Sequence, residues 1–359
     1  MKIIRILSKF FIGLLLVVAV FLGTLTALEY RPDDIEQVKI DGEIDGLIRI
    51  DETTRLMAFN IGYAGLGAAE DFVMDGGEKG RPDSEADVLA YLTGIQALMT
   101  AQDIDIYLLQ EVDRPSRRSY FINQEGILHE YLGSETYNSS FGINFKAYFV
   151  PFPVSFTDYI GSVESGVQTL SRYHVDAAFR HQFPGSFSWP NRVANLKRCM
   201  LVSYLPIENS DQLLILINVH MSAYDDGSMR AQEMAYLKEF IEAAYAEGHY
   251  VIVGGDFNQT FPGAEDIYPV KDDTFFAPSL IDPDFFSDDF TFYYDPTVPT
   301  SRLLNQPYDP EDENTQYYII DGYLISHNIE VLDVYTLDDD FSHSDHNPVI
   351  VDIRLKDNE

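Results

Sequence analysis

The sequence predicts a layered α/β domain behind an apolar N-terminal segment. Three observations carry this. Apolar strand-like runs alternate with amphipathic helical stretches through short connections, the unit from which layered α/β proteins are built. Several of those runs end in a carboxylate, carboxamide or imidazole residue, as happens where neighbouring strand ends converge on one rim. Of the 359 residues, 46% are hydrophobic and 13% aromatic, enough for a sizeable core, and the single cysteine, Cys199, excludes an intrachain disulfide.

At the N-terminus, Lys2, Arg5 and Lys9 precede an uncharged run from Phe10 to Leu22 that stays largely apolar to Leu28. Such a run is a signal-peptide core or a membrane anchor, and its full extent approaches the roughly 20 residues that cross a bilayer. Leu25-Thr26-Ala27 is a poor small-residue cleavage site and no cysteine follows for a lipid anchor. Residues 1–28 are therefore expected to hold the protein at the membrane, with secretion after cleavage near Ala27 as the alternative. Either way the basic flank stays inside and the bulk of the chain is extracytoplasmic. The chain is strongly acidic, with 58 Asp and Glu against 24 Lys and Arg and a net charge of −34, and the bulk beyond the basic flank is more acidic still. Such a surface repels polyanions, so tight nucleic-acid binding is not expected, although a nuclease that binds weakly and turns over is compatible with it.

Residues 29–53 are acidic and irregular, and read as a juxtamembrane segment with room for an edge strand. One domain is expected over 54–357, since no internal repeat and no low-complexity linker divides it. Arg55 to Ile61 has strand character and runs into Gly62-Tyr63-Ala64-Gly65-Leu66-Gly67; no Gly-Lys-Ser/Thr follows, so this is not a phosphate-binding P-loop. Ser84-Glu85-Ala86-Asp87 resembles a capping box, and Val88, Tyr91, Leu92, Ile95, Leu98 and Met99 follow at helical spacing. Ile104 to Leu109 forms the next strand and delivers Glu111. Phe145 to Val150 and Gly166 to Leu170 read as strands, and Phe183 to Arg192 as a long surface loop. Gln212 to Val219 is a continuous apolar strand leading to His220. Ser228 is placed to cap a helix stopped by Gly248. Tyr250 to Val253 leads to Gly254-Gly255-Asp256-Phe257-Asn258, and an acidic, aromatic loop fills about 262–315. Tyr317 to Ile325 is expected to pair with Ile329 to Val334, and Val349 to Leu355 forms the last strand.

A single Asp at a strand end is usually a turn former. Here Asn60, Glu111, His220, Asp256 with Asn258, and Asp345 with His346 all stand at strand ends, and Asp321 lies within a sixth strand. The set is rich in oxygen and free of thiolates, which suits Mg²⁺, Mn²⁺ or Ca²⁺, and the chain has no paired cysteines or HExxH helix for zinc. A hard cation neutralises charge on a phosphoryl oxygen, while histidines distant in sequence supply proton transfer. A serine hydrolase finds no Gly-x-Ser-x-Gly elbow.

Six blocks occur in register: Gln110-Glu111-Val112, Thr169-Leu170-Ser171-Arg172, Asn218-Val219-His220, Gly255-Asp256-Phe257-Asn258, Ile320-Asp321-Gly322-Tyr323 and Ser344-Asp345-His346-Asn347-Pro348. In this order they resemble the endonuclease/exonuclease/phosphatase superfamily, from about Thr54 to Leu355. The resemblance implies a four-layer α/β/β/α sandwich of two packed, mostly antiparallel sheets flanked by helices. It implies a Mg²⁺-dependent phosphoesterase with Glu111 as metal-binding glutamate and Asn60 and Asp345 near the same ion. His346 is similar to the histidine that acts as general base toward water or, in another description, as a phosphate donor, with Asp321 orienting its ring. Asp256 and Asn258 match the pair that positions nucleophile and phosphate, His220 a second phosphate-donating histidine, and Arg172 a phosphate contact.

The superfamily unites a mechanism and not a substrate. An extracellular nuclease, a lipid or headgroup phosphodiesterase and a phosphomonoesterase all remain open, acting as a monomer. A non-catalytic binding module on the same fold predicts lost metal or base residues, and here all are present.

Overall fold

The computed structural model describes residues 2–223 and 227–357. Two seven-stranded sheets form its centre. The first runs, edge to edge, through Ile35–Gln37, Ala177–Gln182, Cys199–Pro206, Leu213–His220, Tyr250–Asp256, Asp321–Ser326 and Phe290–Tyr293. The second runs through Ile329–Thr336, Val349–Leu355, Thr53–Asn60, Ile106–Asp113, Gly161–Ser171, Asn138–Val150 and Ile40–Asp41. Pairing is antiparallel except for one central pair in each sheet, Leu213–His220 with Tyr250–Asp256 and Thr53–Asn60 with Ile106–Asp113.

Those central strands are buried on both faces and so read as near-continuous apolar runs. Leu56, Leu108, Leu216, Ile252, Tyr323 and Val351 meet between the sheets. Outside the first sheet, helix Ser228–Ala246 buries Met234, Leu237 and Ile241. Outside the second, helices Glu85–Met99 and Gln124–Leu132 bury Val88, Leu92, Ile95 and Leu128. Helix, sheet, sheet, helix is the four-layer sandwich that the sequence motifs implied. Ser84 caps its helix as expected, its hydroxyl accepting from the Asp87 amide at 3.3 Å.

The two parallel pairs explain how the site comes together. In a parallel pair the C-terminal ends lie side by side, so Asp256 sits opposite His220, and Asn60 opposite Gln110. On its other flank Asp256 faces Asp321. A buried amide pair clamps the two sheets at this level: Gln110 Nε2 donates to Asn218 Oδ1 at 2.8 Å, and Asn218 Nδ2 donates to the Gln168 carbonyl at 3.0 Å.

The fold departs from sequence expectation in three places. Asp321–Ser326 does not pair with Ile329–Thr336; the former pairs with Tyr250–Asp256 and the latter with Val349–Leu355. Ile325 and Ile329 both enter the core between the sheets, so the short link crosses from one layer to the other instead of closing a hairpin. The stretch 262–315 is not all loop, since Phe290–Tyr293 adds an edge strand to the first sheet. Cys199–Pro206 and helix Gln124–Leu132 gave no recognisable pattern; the strand is buried at nearly every position and so has no alternation to read. Within 29–53, Ile35–Gln37 and Ile40–Asp41 each add an edge strand, one to each sheet, and Ile48 lies in the core between them.

At the N-terminus, Lys2–Ala27 is one continuous helix, and Ile3–Ala27 is long and apolar enough to cross a membrane. Only its last turns touch the domain.

Candidate active site

The rim above the two parallel pairs carries the polar cluster. His346 lies just before strand Val349–Leu355, in a turn whose backbone is pinned to the 300–302 segment, with Asn347 N donating to the Thr300 carbonyl at 2.8 Å and Arg302 N to the Asp345 carbonyl at 3.0 Å. Its Nδ1 lies 2.8 Å from Asp321 Oδ2. With Nδ1–H donating to that carboxylate, Nε2 is the nitrogen left to face the cavity. That atom stands 3.4 Å from Ser301 Oγ, 3.5 Å from Asn60 Nδ2, 3.8 Å from Asp345 Oδ2 and 3.9 Å from Asp256 Oδ2.

Asp256 is the hub. Its Oδ2 accepts from Asn60 Nδ2 at 3.0 Å and lies 3.3 Å from His220 Nε2, while Oδ1 accepts from the Asn258 amide at 2.8 Å. Glu111 closes the ring, with Oε1 4.0 Å from His220 Nε2. The Asn258 side chain is itself fixed, Nδ2 donating to the Met221 carbonyl at 2.9 Å.

Two of the rim residues have strained backbone. Glu111 and Asn258 both have positive φ, 53° and 49°, a region that non-glycine residues seldom occupy. At Glu111 the cause is a bulge between Leu109 and Val112 that turns its side chain out of the sheet and toward the rim. Gly62 has φ +49°, and a Cβ there would stand 2.8 Å from Asp345 Oδ1. With no side chain, its amide can instead donate to Asn60 Oδ1 at 3.1 Å.

The electrostatics follow from burial. Asp256 is pushed up to about 7, chiefly by desolvation and then by the neighbouring Asp321 charge. Asp345 is likewise pushed up to about 7 by burial, with Glu111 adding to the effect against His346 and Arg302. Burial works against a charged His346, but Asp321 and Asp345 outweigh it and hold the ring well above its usual range. His220 moves the opposite way, well below the usual range, because it is desolvated and faces Arg198, His346 and Arg118. The surroundings thus push the two imidazoles in opposite directions, His346 toward the protonated form and His220 toward the neutral one.

Which of these atoms fit a metal ion follows from what they already bind. Asp256, Asp321 and His346 present ligand atoms within 4.8 Å of one another. Asp321 and His346 spend theirs on each other, so that trio is better suited to moving a proton. The Glu111 charge helps to raise Asp345, with Arg118 4.0 Å from Glu111 and Arg302 acting against the rise at Asp345, and Asn60 lines the same cavity. Oxygen donors of this kind fit a hard divalent cation, with the carboxylate repulsion as the driving force.

Of the residues singled out from sequence, Asn60, Glu111, His220, Asp256, Asn258, Asp321, Asp345 and His346 converge on the rim. Arg172 does not. It pairs with Asp103 at 2.6 Å and Asp105 at 3.2 Å, next to Ser171, which sits opposite Ile106 at the far end of the strand that carries Glu111. Five residues of strand separate those levels, roughly 17 Å at about 3.3 Å per residue. The motif's arginine is spent on holding the sheet's opposite edge.

Other guanidinium groups occupy the position. Arg118 lies under the Tyr63 ring, with Cζ 3.7 Å from its centroid, is held by Asp113 at 2.8 Å and points Nη1 to within 4.0 Å of Glu111. Arg198 lines the cavity, and its buried Nη1 has no protein partner. Ser301 and Arg302 join from the acidic loop. None stands in a periodic pattern. The available signal was scarcity: with only 24 basic residues in 359, any arginine beside a turn merits attention.

His181, left without a motif partner, is buried under helix Ser228–Ala246, with Nδ1 3.1 Å from Tyr236 Oη. Desolvation, helped by Arg180, lowers it from 6.5 to about 4. Between those values the unfolded chain binds the proton and the folded one does not, so stability present above pH 6.5 is lost as the pH falls toward about 4. Urea titrations across that window are expected to show a slope that His181→Phe reduces; an unchanged slope in the variant would assign the loss to other groups.

A two-sheet sandwich whose strand ends gather carboxylates, carboxamides and a carboxylate-oriented imidazole is an arrangement suited to phosphoester hydrolysis. The sequence model of the Endonuclease/Exonuclease/phosphatase family matches residues 57–346, and the chain belongs to that family, whose members are hydrolases acting on phosphoesters. Among solved structures it is similar to the endonuclease/exonuclease/phosphatase from Beutenbergia cavernae DSM 12333, at 17% identity and TM-score 0.55, covering 85% of this chain and 72% of that one. The protein from Bacteroides vulgatus matches at 15% identity and TM-score 0.52 over 85% of this chain and 100% of that one. That from Leptotrichia buccalis C-1013-b matches at 14% and 0.52 over 84% and 100%. No curated protein sequence matches the chain.

Proposed function

We propose that this is an exported, membrane-anchored, divalent-metal-dependent phosphodiesterase, working as a monomer, with its catalytic domain over 54–357. The observation that carries the reading is the His346–Asp321 pair, whose free Nε2 faces Asp256 across a gap of 3.9 Å beside the Glu111–Asp345 carboxylates. Glu111, Asp345 and Asn60 Oδ1 would hold Mg²⁺, or Mn²⁺ or Ca²⁺, which when bound draws charge from a phosphoryl oxygen and offsets the carboxylates that raise His346.

The chain's own groups supply the rest. A water between His346 Nε2 and Asp256 Oδ2 can contact both, and Asn60 and Asn258 keep Asp256 in place. As the water oxygen bonds to phosphorus, its proton passes to the His346–Asp256 pair, which titrates as a unit. The phosphorus–oxygen bond opposite breaks, and the departing alcohol oxygen takes a proton from solvent. Neutral His220 is a hydrogen-bond donor for a phosphoryl oxygen, and Arg118 and Arg198 place positive charge around it. Asp321 keeps the His346 ring in one orientation throughout.

The test is hydrolysis of bis-para-nitrophenyl phosphate by the full chain with added Mg²⁺, with and without EDTA. Nitrophenolate release that EDTA abolishes and excess Mg²⁺ restores is the expected result. Release unaffected by EDTA would remove the ion, and no release under any of the three divalent ions would remove the activity.

A further inference from the structure

The cavity over the rim has a volume of about 750 Å³, far more than a phosphate and its metal need. One end is the polar cluster. The other is apolar, lined by Leu22, Leu25, Val150, Ile160, Val193 and Ala194. Two of these, Leu22 and Leu25, belong to the N-terminal apolar helix, so the segment suited to crossing a bilayer also forms a wall of the substrate chamber.

That junction is built. Leu25 is only 7% exposed, whereas most large side chains earlier in the helix are at least 40% exposed. The Phe21 and Phe149 rings meet edge to face at 6.0 Å, Trp189 Nε1 donates to Thr26 Oγ1 at 3.1 Å, and Glu29 receives Lys197 at 3.1 Å and Arg192 at 3.3 Å. Beside it, Val154 and Phe156 are fully exposed at the tip that joins the two long strands ending at Val150 and starting at Gly161. Exposed apolar side chains next to an apolar helix are what a surface resting on lipid displays.

Resting on the phosphodiesterase reading above, we propose that the substrate is a membrane phospholipid, taken with its phosphate at the Glu111–His346 rim and its acyl chain along the apolar arm beside Leu22 and Leu25. Hydrolysis then follows the step already given: water adds to phosphorus, one phosphoester bond breaks, and the released alcohol carries the proton. The acidic surface repels a polyanion, but a lipid reaches the site laterally, through the apolar end, without crossing that field. An apolar arm of this kind discriminates by tail length, since a short tail leaves part of it without packing partners.

The test uses the full chain in phosphatidylcholine vesicles, prepared with and without phosphatidylglycerol, and compares lipid hydrolysis with that of methyl para-nitrophenyl phosphate, which is too small to reach the arm. Ala194→Trp, which fills the arm, is expected to lower the ratio of lipid to small-diester turnover at least tenfold; an unchanged ratio overturns the proposal. With the unaltered chain, dioleoyl lipid is expected to be cleaved well ahead of dihexanoyl lipid, and equal rates overturn it. If the small diester is cleaved and no lipid is, the lipid substrate falls and the phosphodiesterase stands. If neither is cleaved, the phosphodiesterase reading fails, and phosphatidylcholine with a diazirine in its acyl chain decides the arm separately. Photolabel on Ile160 or Val193 supports a lipid-filled arm, and label confined to the helix exterior and Val154–Phe156 overturns it.

Discussion

His346→Ala is expected to lower turnover of a phosphodiester by about 10⁴-fold, the upper end of what a positioned proton acceptor contributes. The ring has one nitrogen facing the cavity and the other fixed by a carboxylate, Asp321 at 2.8 Å. Asn60 and Ser301 beside it are neutral, and Asp256, which shares the proton with it, is left without its partner. Removing the imidazole strips Asp321 of its partner, a cost of about 1–3 kcal/mol for a buried group. For a chain of this size that lowers the melting temperature by several degrees and leaves the fold intact. A steady-state assay beside a thermal melt separates the two effects. A variant that keeps more than about a tenth of the activity would take His346 out of the chemistry.

Glu111→Gln is expected to raise the divalent-ion concentration for half-maximal activity by about a hundredfold. The amide preserves shape and one oxygen but removes the charge that, with Asp345, makes the rim attractive to a cation. Even groups that merely support a metal ligand change affinity by about 10–100-fold, so loss of a ligand's own charge should lie at or beyond that range. A second readout needs no turnover. An ion at about a hundred times its dissociation constant stabilises the native state by about 2.7 kcal/mol, so the unaltered protein should melt higher on adding Mg²⁺ and the variant should show little shift at the same concentration. Identical titrations for both proteins would move the ion away from Glu111.

The rim was legible residue by residue because strand ends with polar side chains are a local pattern, and eight of the residues so marked do meet. Arg172 was not, since its motif position said nothing about Asp103 and Asp105 waiting beside it. Arg118, Arg198 and Ser301 were missed for a related reason. They come from a short turn, from the approach to an all-buried strand and from an acidic loop, none of which carries a period. The expected hairpin between Asp321–Ser326 and Ile329–Thr336 failed because alternation reports which face is buried and is silent about which sheet does the burying.

Sequence alone determined the layered class, the acidic surface, the apolar N-terminal helix and the oxygen-rich identity of the rim, because each depends on composition or on a period of two or 3.6 residues. Tertiary structure decided which arginines face the rim, in which direction each imidazole's proton affinity moves, and that the N-terminal helix walls the cavity. Those outcomes depend on desolvation and on contacts between residues far apart in the chain, and no local pattern encodes either.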